Sequence, residues 1–250
     1  MYYKIAQLTL TPGQKAGSTN EIFVAQPNAD KENLAGKLFI LIEIESKKAD
    51  NLKIINFLID RLNYNYYQNE KLILCERISG LKPEHIFESA LAKTNKNLSE
   101  FIHAEKIKLN PGLINITAGI IHKNNLHFGN LGKNKALLIY KNKKGNNHAK
   151  YKLINIIEQT KDSGSKKQTG LTKLFTNVIS GSIPANGYFI FTNEALPEYL
   201  SNKQLIDIVT TLPPTGAAEQ IKNMLIRINA YVSFLGIIIK NTAEQQSAES

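Results

Sequence analysis

The stretch from Ile114 to Asn130 reads INITAGIIHKNNLHFGN. Its first part, Ile114 to His122, is rich in β-branched residues, and Leu126 to Asn130 forms a second short apolar run. Side chains of these kinds favour strands. The intervening Lys123-Asn124-Asn125 is typical of a tight turn, because asparagine tolerates the left-handed backbone that such a turn demands. The stretch therefore predicts a β-hairpin.

Further strands are predicted on both sides of this hairpin by short β-branched or aromatic runs. We expect them near residues 3–10, 21–24, 37–44, 136–140, 151–157, 188–192 and 232–240.

Four helices are predicted from apolar residues at helical spacing. The first runs from Ala49 to about Gln68, and the second follows Pro83. The third begins at Ser201, which has capping-box spacing to Gln204. The fourth carries Ile221, Met224, Leu225 and Ile228. Runs of strands separated by helix pairs favour antiparallel sheets with the helices packed outside.

Length and composition indicate a folded chain rather than a disordered one. The 250 residues, 42% of them hydrophobic, suffice for one large domain or two small ones. No stretch approaches the roughly 20 apolar residues that span a bilayer, and the N-terminus lacks the apolar core of a signal peptide. These features predict a cytoplasmic protein without a transmembrane segment. The single cysteine, Cys75, lies in an apolar run and is predicted to be a buried structural thiol.

The net charge of +10 raises the question of a nucleic-acid or anionic-membrane partner. Only Arg61, Arg77 and Arg227 are arginines, and the remaining basic charge is dispersed lysine. Lysine lacks the planar fork that recognises bases and phosphates, so the composition disfavours nucleic-acid binding and favours a solvated surface.

Five segments carry a resemblance to a known family. In chain order they are residues 37–43, 87–95, 126–136, 187–196 and 233–239. They resemble segments of the metal-dependent (PPM, type 2C) protein phosphatases, where the corresponding strands and turns hold the motifs Asp-Gly-x-Gly-Gly, Gly-Asp-Ser-Arg, Thr/Ser-Asp-Gly-Leu and Asp-Asn-x-Thr. The resemblance implies an α+β fold, a four-layer sandwich of two antiparallel β-sheets flanked by helices. It implies one PPM phosphatase-like domain over residues 1–240, followed by a disordered polar tail over 241–250.

The reaction that the resemblance implies is hydrolysis of phosphoserine or phosphothreonine by water held between two Mg²⁺ or Mn²⁺ ions. Such a site needs clustered carboxylates to balance the metal charge. At four matched positions this chain has Ile22, Ile44, Asn193 and Ser233 in place of the family's carboxylates and glycine. We interpret these four as positions of a degenerate site.

Two of about five expected carboxylates remain, Glu21 and Glu43, as candidate ligands of a residual metal site. Two nearby acids, Glu45 and Glu194, are interpreted as solvated loop residues. Lys47 and Lys133 are candidates for an anion-binding pocket where metals lie in the family. No catalytic residue is predicted.

Three functions follow from these observations. The first is a catalytically inactive phosphatase-like domain, or pseudophosphatase, with a binding or regulatory role, a protein partner and no cofactor. The second is an active phosphatase that uses Mg²⁺ or Mn²⁺ with altered ligands. The third is a basic protein that binds nucleic acid or a membrane surface.

Overall fold

A computed structural model of the chain describes residues 3–12, 17–70, 72, 82–142, 150–161, 174–175, 177–227 and 231–242. The chain divides into two compact units. The first unit comprises residues 1–16, 135–164 and 182–250, and the second comprises residues 17–134 and 165–181. The single domain over residues 1–240 stays a prediction. Cys75 and residues 243–250 of the predicted tail lie outside the described residues.

The elements follow one another along the chain as β1 (Tyr3–Leu10), β2 (Thr19–Val24), α1 (Ala29–Ala35), β3 (Lys37–Ile44), α2 (Asp50–Tyr67), α3 (Pro83–Ala104), β4 (Ile114–His122), β5 (Asn125–Leu131), β6 (Lys135–Asn142), β7 (Lys150–Asn155), α4 (Ile156–Lys161), β8 (Val178–Ser182), β9 (Tyr188–Thr192), α5 (Ala195–Tyr199), α6 (Asn202–Thr211), α7 (Pro214–Leu225) and β10 (Phe234–Asn241). Among the described residues, no helix is both long and apolar enough to cross a membrane.

The second unit is built on a five-stranded sheet in the order β2-β3-β4-β5-β8. Its pairings from β2 through β5 are antiparallel. Alternate residues of β3 and β4, such as Ile42, Ile44 and Ile116, are buried with apolar residues of α2 and α3 in one core. Side chains alternate between the two faces of a strand, so this set defines a helix-packed face of the sheet.

The first unit has its own five-stranded antiparallel sheet, in the order β1-β10-β9-β6-β7. Its core joins alternate residues of that sheet to the apolar stripes of α6 and α7. The capping box predicted at Ser201 and Gln204 is present at the start of α6. The predicted fold class, two antiparallel sheets flanked by helices, is confirmed.

Some local predictions differ from the structure. The strand expected to run to residue 157 ends at Asn155, where α4 begins. The short elements α1, β8 and α5 lack long periodic patterns and were not predicted. The central hairpin has a two-residue turn, and the left-handed residue is Lys123, with φ 58°, rather than an asparagine. Because Asn125 pairs with His122 in the ladder, it belongs to β5.

Candidate functional site

Glu21 and Glu43, the two candidate metal ligands, lie on neighbouring strands of the second unit. In the register of β2 and β3, Glu21 pairs with Ile42, whereas Glu43 pairs with Asn20. Side chains of paired residues point to the same face of a sheet. Glu21 is therefore on the helix-packed face with Ile42, and Glu43 is on the opposite face, so the structure does not bring the two carboxylates together.

Glu43 has a hydrogen-bond partner within its own unit. The Ser18 hydroxyl donates to Glu43 Oε1 over 2.6 Å. Next along the same face lies Ile22, which pairs with Leu41 and is buried. An aliphatic side chain cannot bind a hard cation. Ile44 is buried in the helix-packed core, where its side chain contributes to packing.

Glu45, at the end of β3, belongs to a network that sequence reasoning missed. The Asn115 amide donates to Glu45 Oε1 over 2.8 Å, and Lys133 Nζ lies 3.0 Å from the same oxygen. Asn115 Oδ1 in turn accepts from the Lys133 backbone N–H over 2.9 Å. Gly132, with φ 84°, lets the chain turn tightly against Asn115.

The electrostatics of Glu45 reflect these contacts. Partial burial would raise its pKa, but the hydrogen bonds from Asn115 and Lys133, with the Lys133 charge, outweigh burial and lower it. The predicted anion-binding residue Lys133 is thus ion-paired with Glu45. Lys47, the other candidate, is exposed on the loop after β3. Glu45 is half-buried and hydrogen-bonded.

Neutral polar side chains continue along the face of β4 and β5 that carries Asn115. The Thr117 hydroxyl donates to Asn130 Oδ1 over 2.6 Å, and the Asn134 amide donates to Thr117 over 3.1 Å. Asn115 and Thr117 alternate with Ile114 and Ile116 in the sequence, and this alternation is the signal that could have revealed the polar face.

In the first unit, Asn193 follows β9 and is buried. Its amide nitrogen donates to the Ser233 carbonyl over 2.7 Å, and its Oδ1 accepts from the Leu235 N–H over 3.2 Å. Both ends of the amide are therefore bonded to backbone at the start of β10. An amide can donate and accept in this way, whereas an ionised carboxylate cannot, because it has no proton to give.

These donors do not fit a binuclear metal centre. Two divalent ions need several carboxylates converging on one point. In the part of the chain that the structure describes, no group of three or more histidine, cysteine, aspartate or glutamate side chains is placed to hold a metal ion. Three positions that the resemblance matches to carboxylate ligands hold an apolar, an amide and a hydroxyl side chain, namely Ile22, Asn193 and Ser233. The two carboxylates that remain, Glu21 and Glu43, lie on opposite faces of their sheet.

Comparisons with known proteins identify the fold. No protein-family model matches the sequence. No curated protein matches it either. The structure, however, is similar to solved PPM-type serine/threonine phosphatases over nearly its whole length.

One of these structures is the catalytic domain of the phosphatase PstP in complex with two manganese ions, with TM-score 0.66 and 13% identity over 97% of this chain and 99% of that one. Another is PppA, a key regulatory component of T6SS in Pseudomonas aeruginosa, with TM-score 0.61 and 10% identity over 96% and 98% of the two chains. A third is phosphatase 2C from Toxoplasma gondii, with TM-score 0.61 and 9% identity over 96% and 95%. The chain therefore has the PPM phosphatase fold, as the five sequence segments predicted.

Proposed function

We propose that this chain is a degenerate member of the PPM phosphatases, a pseudophosphatase domain that acts by binding a protein partner. The observation that carries the proposal is the use of Asn193, whose amide is bonded at both ends to the backbone of β10. In the family this position is an aspartate. Here it contributes to holding two strands together, and the fold is kept without the ligand.

The second unit supports the same proposal. Glu21 and Glu43 lie on opposite faces of their sheet, and Glu45 is neutralised by Lys133. A carboxylate already paired with an ammonium group offers little net charge to a divalent cation. In this proposal the hydrophobic cores of the fold are retained, whereas the carboxylates of the metal site are not. This combination is expected when a fold is reused for binding. PppA, with the same fold, is described as a regulatory component.

The test is an assay of Mn²⁺-dependent hydrolysis of p-nitrophenyl phosphate and of a phosphothreonine peptide, beside a competent PPM phosphatase. We expect no hydrolysis above the level of the Glu43→Ala variant, and no heat of Mn²⁺ binding in calorimetry. Turnover that requires Mn²⁺ and disappears in Glu43→Ala, with folding intact by circular dichroism, would instead establish an active phosphatase with altered ligands.

A further inference from the structure

The first unit contains an open groove of about 440 Å³. It lies wholly within that unit, where β6 and β7 meet α4, α5 and α6. The side chains that line it are Lys135, Leu137, Leu153, Asn155, Glu158, Glu194, Pro197, Glu198 and Asn202. None of these residues was singled out as a ligand by the resemblance.

Apolar groups contribute part of the groove surface. Leu137 and Leu153 come from the two neighbouring strands, and Pro197 comes from α5. Leu137 is buried in the core of the first unit, and Leu153 packs against that core. Leu137 is almost fully buried, whereas Leu153 and Pro197 are partly exposed on a strand and a helix, so the latter two offer a preformed surface for an aliphatic group.

The charged groups of the groove are mainly acidic. Glu158, Glu194 and Glu198 supply three carboxylates, and Lys135 supplies one ammonium group, which lies 3.1 Å from Glu158 Oε1. The lining therefore has a formal charge of −2, three negative groups against one positive, in a chain whose net charge is +10. The local charge is opposite to that of the whole molecule.

We propose that this groove binds a basic segment of a partner protein through a lysine or arginine side chain. This proposal rests on the binding role proposed above and names the chemistry of the partner. Long basic side chains lay their aliphatic stems along apolar surface while the charged end reaches polar groups. Leu137, Leu153 and Pro197 would contact the stem, and Glu194 and Glu198 would face the cation.

Other occupants match the groove less well. A nucleic acid or an anionic lipid would meet repulsion from the carboxylates. A metal ion needs at least three converging ligands, and within the described residues no such group is found. An arginine or lysine stem uses both the apolar and the acidic parts of the lining.

The experiment measures binding of two labelled peptides to the full chain by fluorescence anisotropy. One peptide alternates arginine with leucine, and the other has glutamate in place of every arginine. We expect only the arginine peptide to bind. In the double variant Glu194→Lys/Glu198→Lys its affinity should fall by roughly tenfold or more. The milder Glu194→Gln/Glu198→Gln variant is expected to weaken binding less and guards against loss of folding.

The matched control is Asp207→Lys, an exposed charge reversal on α6 that lies outside the groove. It changes the net charge without changing the lining, so binding should stay within about twofold. Shifts in the methyl NMR signals of Leu137 and Leu153 on adding the arginine peptide would locate the contact.

Three results would overturn the proposal: no binding of the arginine peptide, equal loss in the Asp207→Lys control, or methyl shifts elsewhere only. These results are independent of the phosphatase assay. If the chain hydrolyses phosphate and also binds the peptide, the proposed pseudophosphatase is overturned and the groove assignment stands. If the chain is inactive and does not bind the peptide, the groove assignment is overturned and the proposed pseudophosphatase stands.

Discussion

The ends of β3 and β9 accommodate their polar side chains in different ways. At the end of β3, carboxylates remain, but Glu43 accepts from Ser18 and Glu45 is held by Asn115 and Lys133. At the end of β9, the polar group is a neutral amide, and Asn193 is bonded to the backbone at the start of β10. The first region compensates negative charge with partners, and the second avoids the charge altogether.

Burial explains the difference between the two regions. Asn193 is only 2% exposed, and an isolated charge there would be costly. Glu45, with 35% of its side chain exposed, is solvated enough to stay ionised beside a lysine. A fully buried position therefore favours a neutral side chain, while a half-exposed one can hold an acid.

The largest effect on stability is expected at Gly132, whose backbone conformation supports the contacts among Glu45, Asn115 and Lys133. In Gly132→Ala the new Cβ would overlap Asn115 Oδ1 and lie 2.6 Å from the Ile114 carbonyl oxygen. Asn115 would have to move, which breaks its bonds to Glu45 and Lys133. We expect a loss of about 3 kcal/mol in the free energy of unfolding, measured by urea denaturation.

Gly17→Ala is the control for this substitution, because an added Cβ there meets no atom within 4 Å. Its stability should stay within about 0.5 kcal/mol of the parent chain. If the two alanine variants were equally stable, the close packing around Asn115 would be refuted.

The next largest effect is expected when the amide of Asn193, at the end of β9, is replaced by a carboxylate. In Asn193→Asp, the donor to the Ser233 carbonyl is lost and a negative charge is buried against that oxygen, 2.7 Å away in the parent. We expect a loss of about 2 kcal/mol at neutral pH. The variant's carboxyl would have a raised pKa in the folded state, so the deficit should shrink as the pH falls through that pKa and the acid can donate.

The exposed substitution Asn56→Asp on α2 adds the same charge without burial and should change stability by less than about 0.5 kcal/mol. An Asn193→Asp chain as stable as the parent at neutral pH, or one stabilised by Mn²⁺, would mean that the site still accepts a metal-binding acid. Either result would contradict the contrast between the two regions.

The fold was predictable from the sequence because its signals are local and repeated. The apolar stripe of α2, the capping box at Ser201 and the β-branched run of β4 each set their own element. For the candidate site, the sequence could predict the positions involved but not which of their side chains contact one another. Its network depends on register: Glu43 stands opposite Asn115, and Glu45 reaches both Asn115 and Lys133 across 70 and 88 residues of sequence. No local pattern encodes such pairings, and a one-residue shift would send each side chain to the other face.

The smallest effect tests the charge compensation at Glu45. In Glu45→Gln the hydrogen bond from Asn115 can persist, but the ion pair with Lys133 is lost. Because both charged groups are substantially solvated, we expect the free energy of unfolding to fall by about 0.5 kcal/mol at pH 7. The folded-state pKa of Glu45 is lowered, so its contribution is complete above the unfolded pKa and disappears as the pH falls through the folded one. Parent and variant should therefore converge in stability once the pH falls below the folded-state pKa of Glu45, as measured by urea denaturation across pH. A difference that widened on acidification would show that Glu45 is destabilising when charged, and the end of β3 would then need a cation that Lys133 does not supply.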